Sequence, residues 1–158
     1  MNANSAATTP LSTSLAGKYM TFKLASEQYG LQILKVRELI GLMEITRVPN
    51  TPQSIRGVIN LRGKVIPVLD LRLAFGMNSV EATSQTVIIV VQLAKGNGDL
   101  TMGILVDEVL EVRAIEAQAI EPPPEFCTHQ SVDYILGVGK VDTRVIFLID
   151  IDRVLDAT

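Results

Sequence analysis

The fold of this chain is decided by a segment that occurs twice, at a fixed offset of eighty residues. Residues 55–75 read IRGVINLRGKVIPVLDLRLAF, and residues 135–155 read ILGVGKVDTRVIFLIDIDRVL. The apolar positions agree almost throughout, and the identical pairs are Ile55/Ile135, Gly57/Gly137, Val58/Val138, Val65/Val145, Ile66/Ile146 and Asp70/Asp150. Two matching segments indicate two matching modules. The seam between the modules is a candidate binding site in a protein that lacks catalytic residues.

A second, weaker match lies upstream of each copy, at an offset of 73 residues. Residues 30–39 read GLQILKVREL and residues 103–112 read GILVDEVLEV, with Gly30/Gly103, Val36/Val109 and Glu38/Glu111 coinciding. A longer connecting loop in the second half explains the change of offset.

The residue pattern is that of β structure. Residues 18–25, KYMTFKLA, alternate apolar and polar side chains, as a half-buried strand does. Residues 55–61 and 64–71 flank Arg62-Gly63, which predicts a hairpin, and residues 134–140 and 144–149 form the matching one. Residues 34–40 fit either a strand or a short amphipathic helix. A short C-terminal helix is predicted over residues 151–157, with Asp150 or Asp152 near its start.

Each half therefore contains about five short strands, and a small closed barrel is the packing that buries them. We predict an all-β fold of two five-stranded barrels packed together, with the short C-terminal helix. Residues 1–17 are rich in Ala, Ser, Thr and Asn and are predicted to be a disordered tail. The folded domain then covers residues 18–158, with a first barrel at about 30–80 and a second at about 86–150. Exchange of terminal segments between the barrels stays open.

The composition excludes several classes of protein. The 158 residues are 47% hydrophobic and 20% charged, with a net charge of −3 and no cluster of Lys and Arg, so a nucleic-acid partner is not expected. The single cysteine fits a reducing compartment. Neither a signal peptide nor an apolar run long enough to cross a bilayer stands out. We expect a cytoplasmic protein that does not insert into the membrane.

Residues that would support catalysis are few. His129 is the only histidine, in a polar loop near Cys127, and no third group is placed to orient such a pair. The neighbouring Asp107 and Glu108 would point to opposite faces of a strand, which argues against an acid–base pair. No glycine-rich phosphate loop and no metal-binding spacing occur. The sequence therefore predicts no catalytic residues, no metal site and no cofactor.

Three features call for an explanation other than catalysis. Val36 and Val109 occupy matching positions, and they are either core residues or contacts at the seam or on docking faces. Gly57 and Gly137 also occupy matching positions, where they are interpreted as backbone requirements. Glu38 and Arg62 are candidates for an ion pair in the first half, and the second half has acidic residues at both of those positions. This pair is either an ordinary surface pair or a sign of a task given to one module.

Several motifs together resemble the CheW family of bacterial chemotaxis coupling proteins. Residues 46–52 read TRVPNTP and residues 55–63 read IRGVINLRG, followed by Pro67-Val68 and Asp70-Leu71. The segments YG…ILKV.E at residues 29–38, GILVD at 103–107 and PEF at 124–126 also match. The resemblance covers about residues 19–155, nearly the whole folded chain.

This resemblance implies two SH3-like five-stranded β-barrels and a non-catalytic adaptor. The adaptor joins the cytoplasmic tips of methyl-accepting chemoreceptors to the regulatory domain of the histidine kinase CheA, at membrane chemoreceptor arrays. The receptor tip would lie in the groove between the barrels. An adaptor of the same fold in another kinase pathway, such as twitching motility, is the alternative.

The resemblance also implies site residues. The positions tied to receptor and kinase coupling are Val36, Glu38, Gly57, Arg62, Val109 and Val112. The positions tied to the kinase regulatory domain are Glu121, Glu125 and Phe126. Glu121 is acidic where a basic residue would be expected from the family.

Overall fold

The computed structural model describes residues 16–95, 98–123 and 134–156, and within these ranges strands dominate. The strands are β1 Gly17–Leu24, β2 Glu27–Gln32, β3 Val36–Gly41, β4 Ile55–Leu61, β5 Lys64–Asp70, β6 Val87–Lys95, β7 Gly98–Val106, β8 Glu108–Ile115, β9 Ile120–Glu121, β10 Ile135–Val141 and β11 Arg144–Ile149. The helices are α1 Leu71–Ala74 and α2 Ile151–Asp156, and 3-10 turns occupy Ile33–Lys35 and Ala117–Ala119.

The strands form two sheets, which we call the first and second barrel. The first barrel has the strand order β3-β6-β7-β5-β4, and the second has the order β8-β1-β2-β11-β10-β9. The predicted all-β fold of two barrels with a C-terminal helix is confirmed. The second barrel has six strands where five were expected, because the two-residue β9 pairs with β10 through Val138 and Glu121.

Each barrel takes strands from both halves of the chain, so the boundaries expected at about residues 80 and 86 do not divide the two sheets. We call residues 17–76, which contain β1–β5 and α1, the first repeat, and residues 87–156, which contain β6–β11 and α2, the second repeat. Strands β6 and β7 of the second repeat complete the first barrel, whereas β1 and β2 of the first repeat complete the second barrel. The exchange is symmetric, because Gly103 of β7 pairs with Val68 and Gly30 of β2 pairs with Leu148 in parallel ladders.

The repeated segment has the same local structure in both copies. The β4–β5 hairpin turns at Arg62 and Gly63, with φ of 53° and 87°, and the β10–β11 hairpin turns at Asp142 with φ of 57°. Positive φ at both Arg62 and Gly63 matches the right-handed twist of the paired strands, and the predicted β4–β5 hairpin is confirmed. Asp70 and Asp150 follow the hairpins, and their side chains accept backbone N–H donors from the first turns of α1 and α2.

Hydrophobic side chains form three clusters. One fills each barrel, and the largest, which we call the central cluster, lies at the seam between the barrels and contains residues of both repeats. Its buried members are Phe22, Leu24, Tyr29, Leu31, Leu69, Leu71, Ile89, Val91, Leu93, Met102, Ile104, Val106, Ile149, Ile151 and Val154. The seam between the barrels is therefore a packed core built by both repeats.

The remaining predictions concern residues 34–40, the N-terminal tail and membrane-spanning helices. Residues 34–40, which fitted a strand or a helix, form the end of a 3-10 turn and then β3. Most of the predicted tail, residues 1–15, lies outside the described residues, while Gly17 already belongs to β1. Among the helices in the described ranges, none is long and apolar enough to cross a bilayer.

Candidate functional site

Val36 and Val109 lie at the margin of the seam, in equivalent positions of β3 and β8. Val36 pairs with Val91 across β3 and β6, and Val109 pairs with Phe22 across β8 and β1. Both valines are partly buried and pack against the central cluster. Each is thus a core residue on one side and available to a partner on the other. Further along β8, Val112 is 46% exposed.

Glu38 and Arg62 form the ion pair that the sequence offered as a candidate. Arg62 Nη2 contacts both carboxylate oxygens of Glu38, at 2.8 Å from Oε2. The hydrogen bond from Arg62 holds the pKa of Glu38 below its usual range, and Glu38 in turn raises the pKa of Arg62. Glu38 lies on β3 and Arg62 follows β4, the two terminal strands of the first barrel's sheet. The pair therefore joins the sheet's two edges at an exposed surface.

The second barrel does not repeat this pair. Its equivalent positions hold Glu111 and Asp142, so both groups are acidic. Glu111 instead pairs with Arg113 of its own strand, at 2.9 Å. At this surface the two barrels have equivalent backbone structure but carry different charges.

Gly57 is a backbone requirement. Its φ is +149°, and a Cβ added there would lie 2.2 Å from the carbonyl oxygen of Thr46 and 2.9 Å from Ile45 Cγ2. Thr46 is held against β4 by two backbone hydrogen bonds of 2.8 Å with Val58. Gly57 thus allows the segment that carries Ile45 and Thr46 to pack closely against β4. Sequence reasoning flagged the glycine but had no means of identifying its neighbour.

The positions assigned to the kinase regulatory domain are only partly described. Glu121 is exposed on β9 and forms an ion pair with Lys140 of β10. Glu125 and Phe126 lie outside the described residues, as do Cys127 and His129. The unexpected acid at Glu121 is therefore accompanied by a base from the neighbouring strand.

The predicted residues fall into groups in the structure. Val36, Glu38 and Arg62 cluster at the edge strand β3 of the first barrel, and Val109 and Val112 lie on the equivalent edge strand β8 of the second. Glu121 lies at the other end of the second sheet's strand order.

Within the described part of the chain, sequence reasoning missed two ion pairs that connect the repeats. Arg72 of α1 contacts the carboxylate of Asp107 at the β7–β8 junction, with Nε to Oδ1 at 2.8 Å. Lys35 at the β2–β3 junction contacts Asp152 of α2, at 2.9 Å. Arg72 and Asp152 align at the eighty-residue offset, so their opposite charges were a signal that the sequence already contained.

Comparison with known proteins identifies the family. Residues 18–158 match the model of the CheW-like domain. The chain belongs to the CheW-like domain family. It is 39% identical to the chemotaxis protein CheW of Klebsiella aerogenes over 140 residues, which cover 89% of this chain and 82% of that protein. It is 32% identical to the probable chemotaxis protein CheW of Rhizobium etli over 139 residues, covering 88% and 87% of the two chains.

A solved structure agrees with this assignment. The crystal structure of the scaffolding protein TtCheW from Thermoanaerobacter tengcongensis matches with a TM-score of 0.76 and 38% sequence identity, covering 86% of this chain and 90% of that one. CheW-family proteins are non-catalytic scaffolds, and this chain is a chemotaxis coupling adaptor. The role implies a chemoreceptor and the kinase CheA as its general classes of partner. The alternative of another kinase pathway is not favoured, because these relatives are named for chemotaxis.

Proposed function

We propose that the chain couples the cytoplasmic tips of methyl-accepting chemoreceptors to CheA through two separate surfaces, and that it is recruited to membrane receptor arrays. We call the first the coupling surface. It consists of Val36, Glu38, Arg62, Val109 and Val112, with Gly57 shaping the backbone behind it. One observation carries the proposal: the two valines occupy the same place in both repeats, whereas the Glu38–Arg62 pair occurs in one repeat alone.

The coupling surface suits an amphipathic helical partner. Val36 and Val109 offer apolar contacts at the margin of a packed core, so a helix placed there gains contact area without opening the seam. Glu38 and Arg62 offer one charge of each sign in a fixed arrangement, which selects the register of a helix with complementary charges. The two barrels would otherwise allow a receptor tip to bind in two opposite orientations. Because the second barrel lacks such a pair, only one of them would be selected.

The second surface is the proposed contact with the regulatory domain of CheA. It includes Glu121 together with Glu125 and Phe126. The Glu121–Lys140 pair gives this region both signs of charge, so complementary charges on the kinase can be met without a base at position 121 itself. Two distinct surfaces would allow one small protein to hold a receptor and a kinase at once.

Charge reversal at the coupling surface tests the first half of the proposal. We expect Glu38→Arg, Arg62→Glu and the double reversal all to lose receptor binding and receptor-dependent CheA activity in a reconstituted assay. An exposed ion pair contributes little to stability because solvent screens it, so all three should stay folded. Glu116→Arg, the same change at an exposed site of the second barrel, is the matched control. Full recovery of coupling by the double reversal would mean that the pair acts only within the barrel, and would refute a direct contact.

The kinase surface has its own test. Glu121→Arg should weaken binding to the isolated CheA regulatory domain while leaving receptor binding intact. Glu81→Arg, the same change at an exposed acid in the segment between α1 and β6, is the control. Loss of receptor binding with unchanged kinase binding would show that the two surfaces have been assigned the wrong way round.

A further inference from the structure

The exchange of strands between the barrels raises the question of how each repeat pairs with the other repeat of its own chain. Each repeat completes its barrel with the first two strands of the other, so β1 pairs with β8 as β6 pairs with β3. Likewise β2 pairs with β11 as β7 pairs with β5. Because the two sets of ladders are equivalent, backbone hydrogen bonds alone would also allow a repeat to pair with the same repeat of a second copy. Specific pairing then requires side chains that penalise the wrong partner.

The first of the two ion pairs between the repeats is well enclosed. Arg72 donates from Nε and Nη2 to both carboxylate oxygens of Asp107, with only 15% and 25% of the two side chains exposed. Asp107 also accepts the backbone N–H of Ala25, in the β1–β2 turn, at 2.8 Å. The pair therefore joins helix α1 of the first repeat to the β7–β8 junction of the second.

The second pair joins the equivalent helix and strand junction, with its charges reversed. Asp152 is the second residue of α2, as Arg72 is of α1, and it contacts Lys35 at the β2–β3 junction. Lys35 aligns with Glu108, the immediate neighbour of Asp107. Helix α1 thus carries the basic Arg72, which contacts an acidic residue at the β7–β8 junction. Helix α2 carries the acidic Asp152, which contacts a basic residue at the β2–β3 junction.

We propose that these two ion pairs of opposite polarity form a pairing code that directs each repeat to the other and opposes pairing of like repeats between two copies of the chain. Pairing of two first repeats would place Arg72 opposite Lys35, and pairing of two second repeats would place Asp152 opposite Asp107. Both contacts join like charges at partly enclosed sites, where repulsion is screened less than at the open surface. Each such contact should lower the self-pairing equilibrium on the order of tenfold.

The code is tested by making it ambiguous without removing any attraction. In Lys35→Asp/Asp152→Lys, both helices carry a base and both junctions carry acids, so correct and like-repeat pairings are equally attractive. The full-length variant is unfolded in urea, refolded at high protein concentration and analysed by size-exclusion chromatography with light scattering. We expect the dimer fraction to rise at least about tenfold over the unmodified chain.

A four-fold reversal is the matched control. Adding Arg72→Asp and Asp107→Lys to that double variant reverses the charge of all four residues. The correct contacts again join opposite charges and the contacts between like repeats again join like charges, so this variant should refold to a monomer like the unmodified chain. Dimers formed by exchanging correctly paired strands would appear equally in all three proteins and cancel from the comparison. If the four-fold variant fails to refold, the mirror variant Arg72→Asp/Asp107→Lys, which is also ambiguous, takes its place and should dimerise. The proposal is overturned if the ambiguous variants stay as monomeric as the unmodified chain, or if the four-fold variant dimerises as much as they do.

Discussion

Replacing Gly57 by alanine should destabilise the first barrel far more than a glycine-to-alanine change in a strand usually does. The new Cβ would lie 2.2 Å from the carbonyl oxygen of Thr46, a distance that real Cβ atoms do not show. The obstacle is backbone, so no side-chain rotation relieves it. The segment carrying Thr46 must move, or β4 must change its conformation.

The cost has two parts. A non-glycine residue held at φ of +149° costs about 1–3 kcal/mol in backbone strain. Moving Thr46 away also breaks its two backbone hydrogen bonds with Val58, each worth about 0.5–1.5 kcal/mol. We expect a loss of about 2–6 kcal/mol in the free energy of unfolding, a large fraction of the stability of an ordinary domain. Gly57→Asp should lose at least as much and should abolish coupling in the reconstituted kinase assay.

The assay is urea denaturation combined with hydrogen exchange at the amides of Thr46 and Val58. Gly41→Ala is the matched control, because nothing lies within 4 Å of a Cβ added at that strand position. It should stay within about 1 kcal/mol of the unmodified chain. If Gly57→Ala were as stable as Gly41→Ala, with both amides still protected, the close contact would not govern this region and the reasoning would fail.

Three further predictions concern the frame around the site. Asp107→Asn should cost about 1–3 kcal/mol at neutral pH. Because hydrogen bonding from its arginine partner lowers the folded-state pKa of Asp107, the difference in urea stability should be full above the unfolded-state pKa of about 4 and should shrink as the pH falls through the folded-state value. Thr21→Val should cost about 1 kcal/mol, since the buried hydroxyl donates to the carbonyl oxygen of Glu111 at 2.6 Å, while Thr21→Ser should keep most of the stability. Gly103→Ala should lower the thermal unfolding midpoint more than Gly30→Ala, because the added Cβ would lie 2.7 Å from a core side chain in one case and 3.1 Å in the other.

The local structure was predictable because short-range chemistry determines it. The Arg62-Gly63 turn, the two matching hairpins and the short helices after Asp70 and Asp150 all follow from turn residues, alternation and capping within a few positions. The eighty-residue repeat extended each of these predictions from one half of the chain to the other.

The assignment of strands to barrels was not predictable in the same way. Strand β6 is buried along Ile88–Val91, and an apolar strand buried on both faces fits equally well in either sheet. Consecutive halves were therefore the simplest expectation, although exchange was left open. What decides between them is contact over long sequence distance, such as Arg72 with Asp107, which no local pattern reveals.

The candidate site was predictable from the sequence only in part. The Glu38–Arg62 pair followed from comparing the repeats, and the structure contains it. The role of Gly57 depends on Thr46, which lies in an irregular segment that no periodicity describes. The receptor groove between the barrels stays a prediction, and the structure shows Val36 and Val109 packed against the central cluster at the seam.

Charge differences between the repeats serve two purposes that depend on exposure. Arg72 and Asp152 differ in sign where the repeats meet, and their partners lie within the same chain, so the difference acts on folding. Arg62 and Asp142 differ in sign at exposed hairpin turns, where a difference within the barrel contributes little to stability and is free to serve an external partner. A duplicated frame can thus diverge first at its surface without losing its fold. Reversing one of the two enclosed pairs should change assembly, and reversing the exposed pair should change coupling.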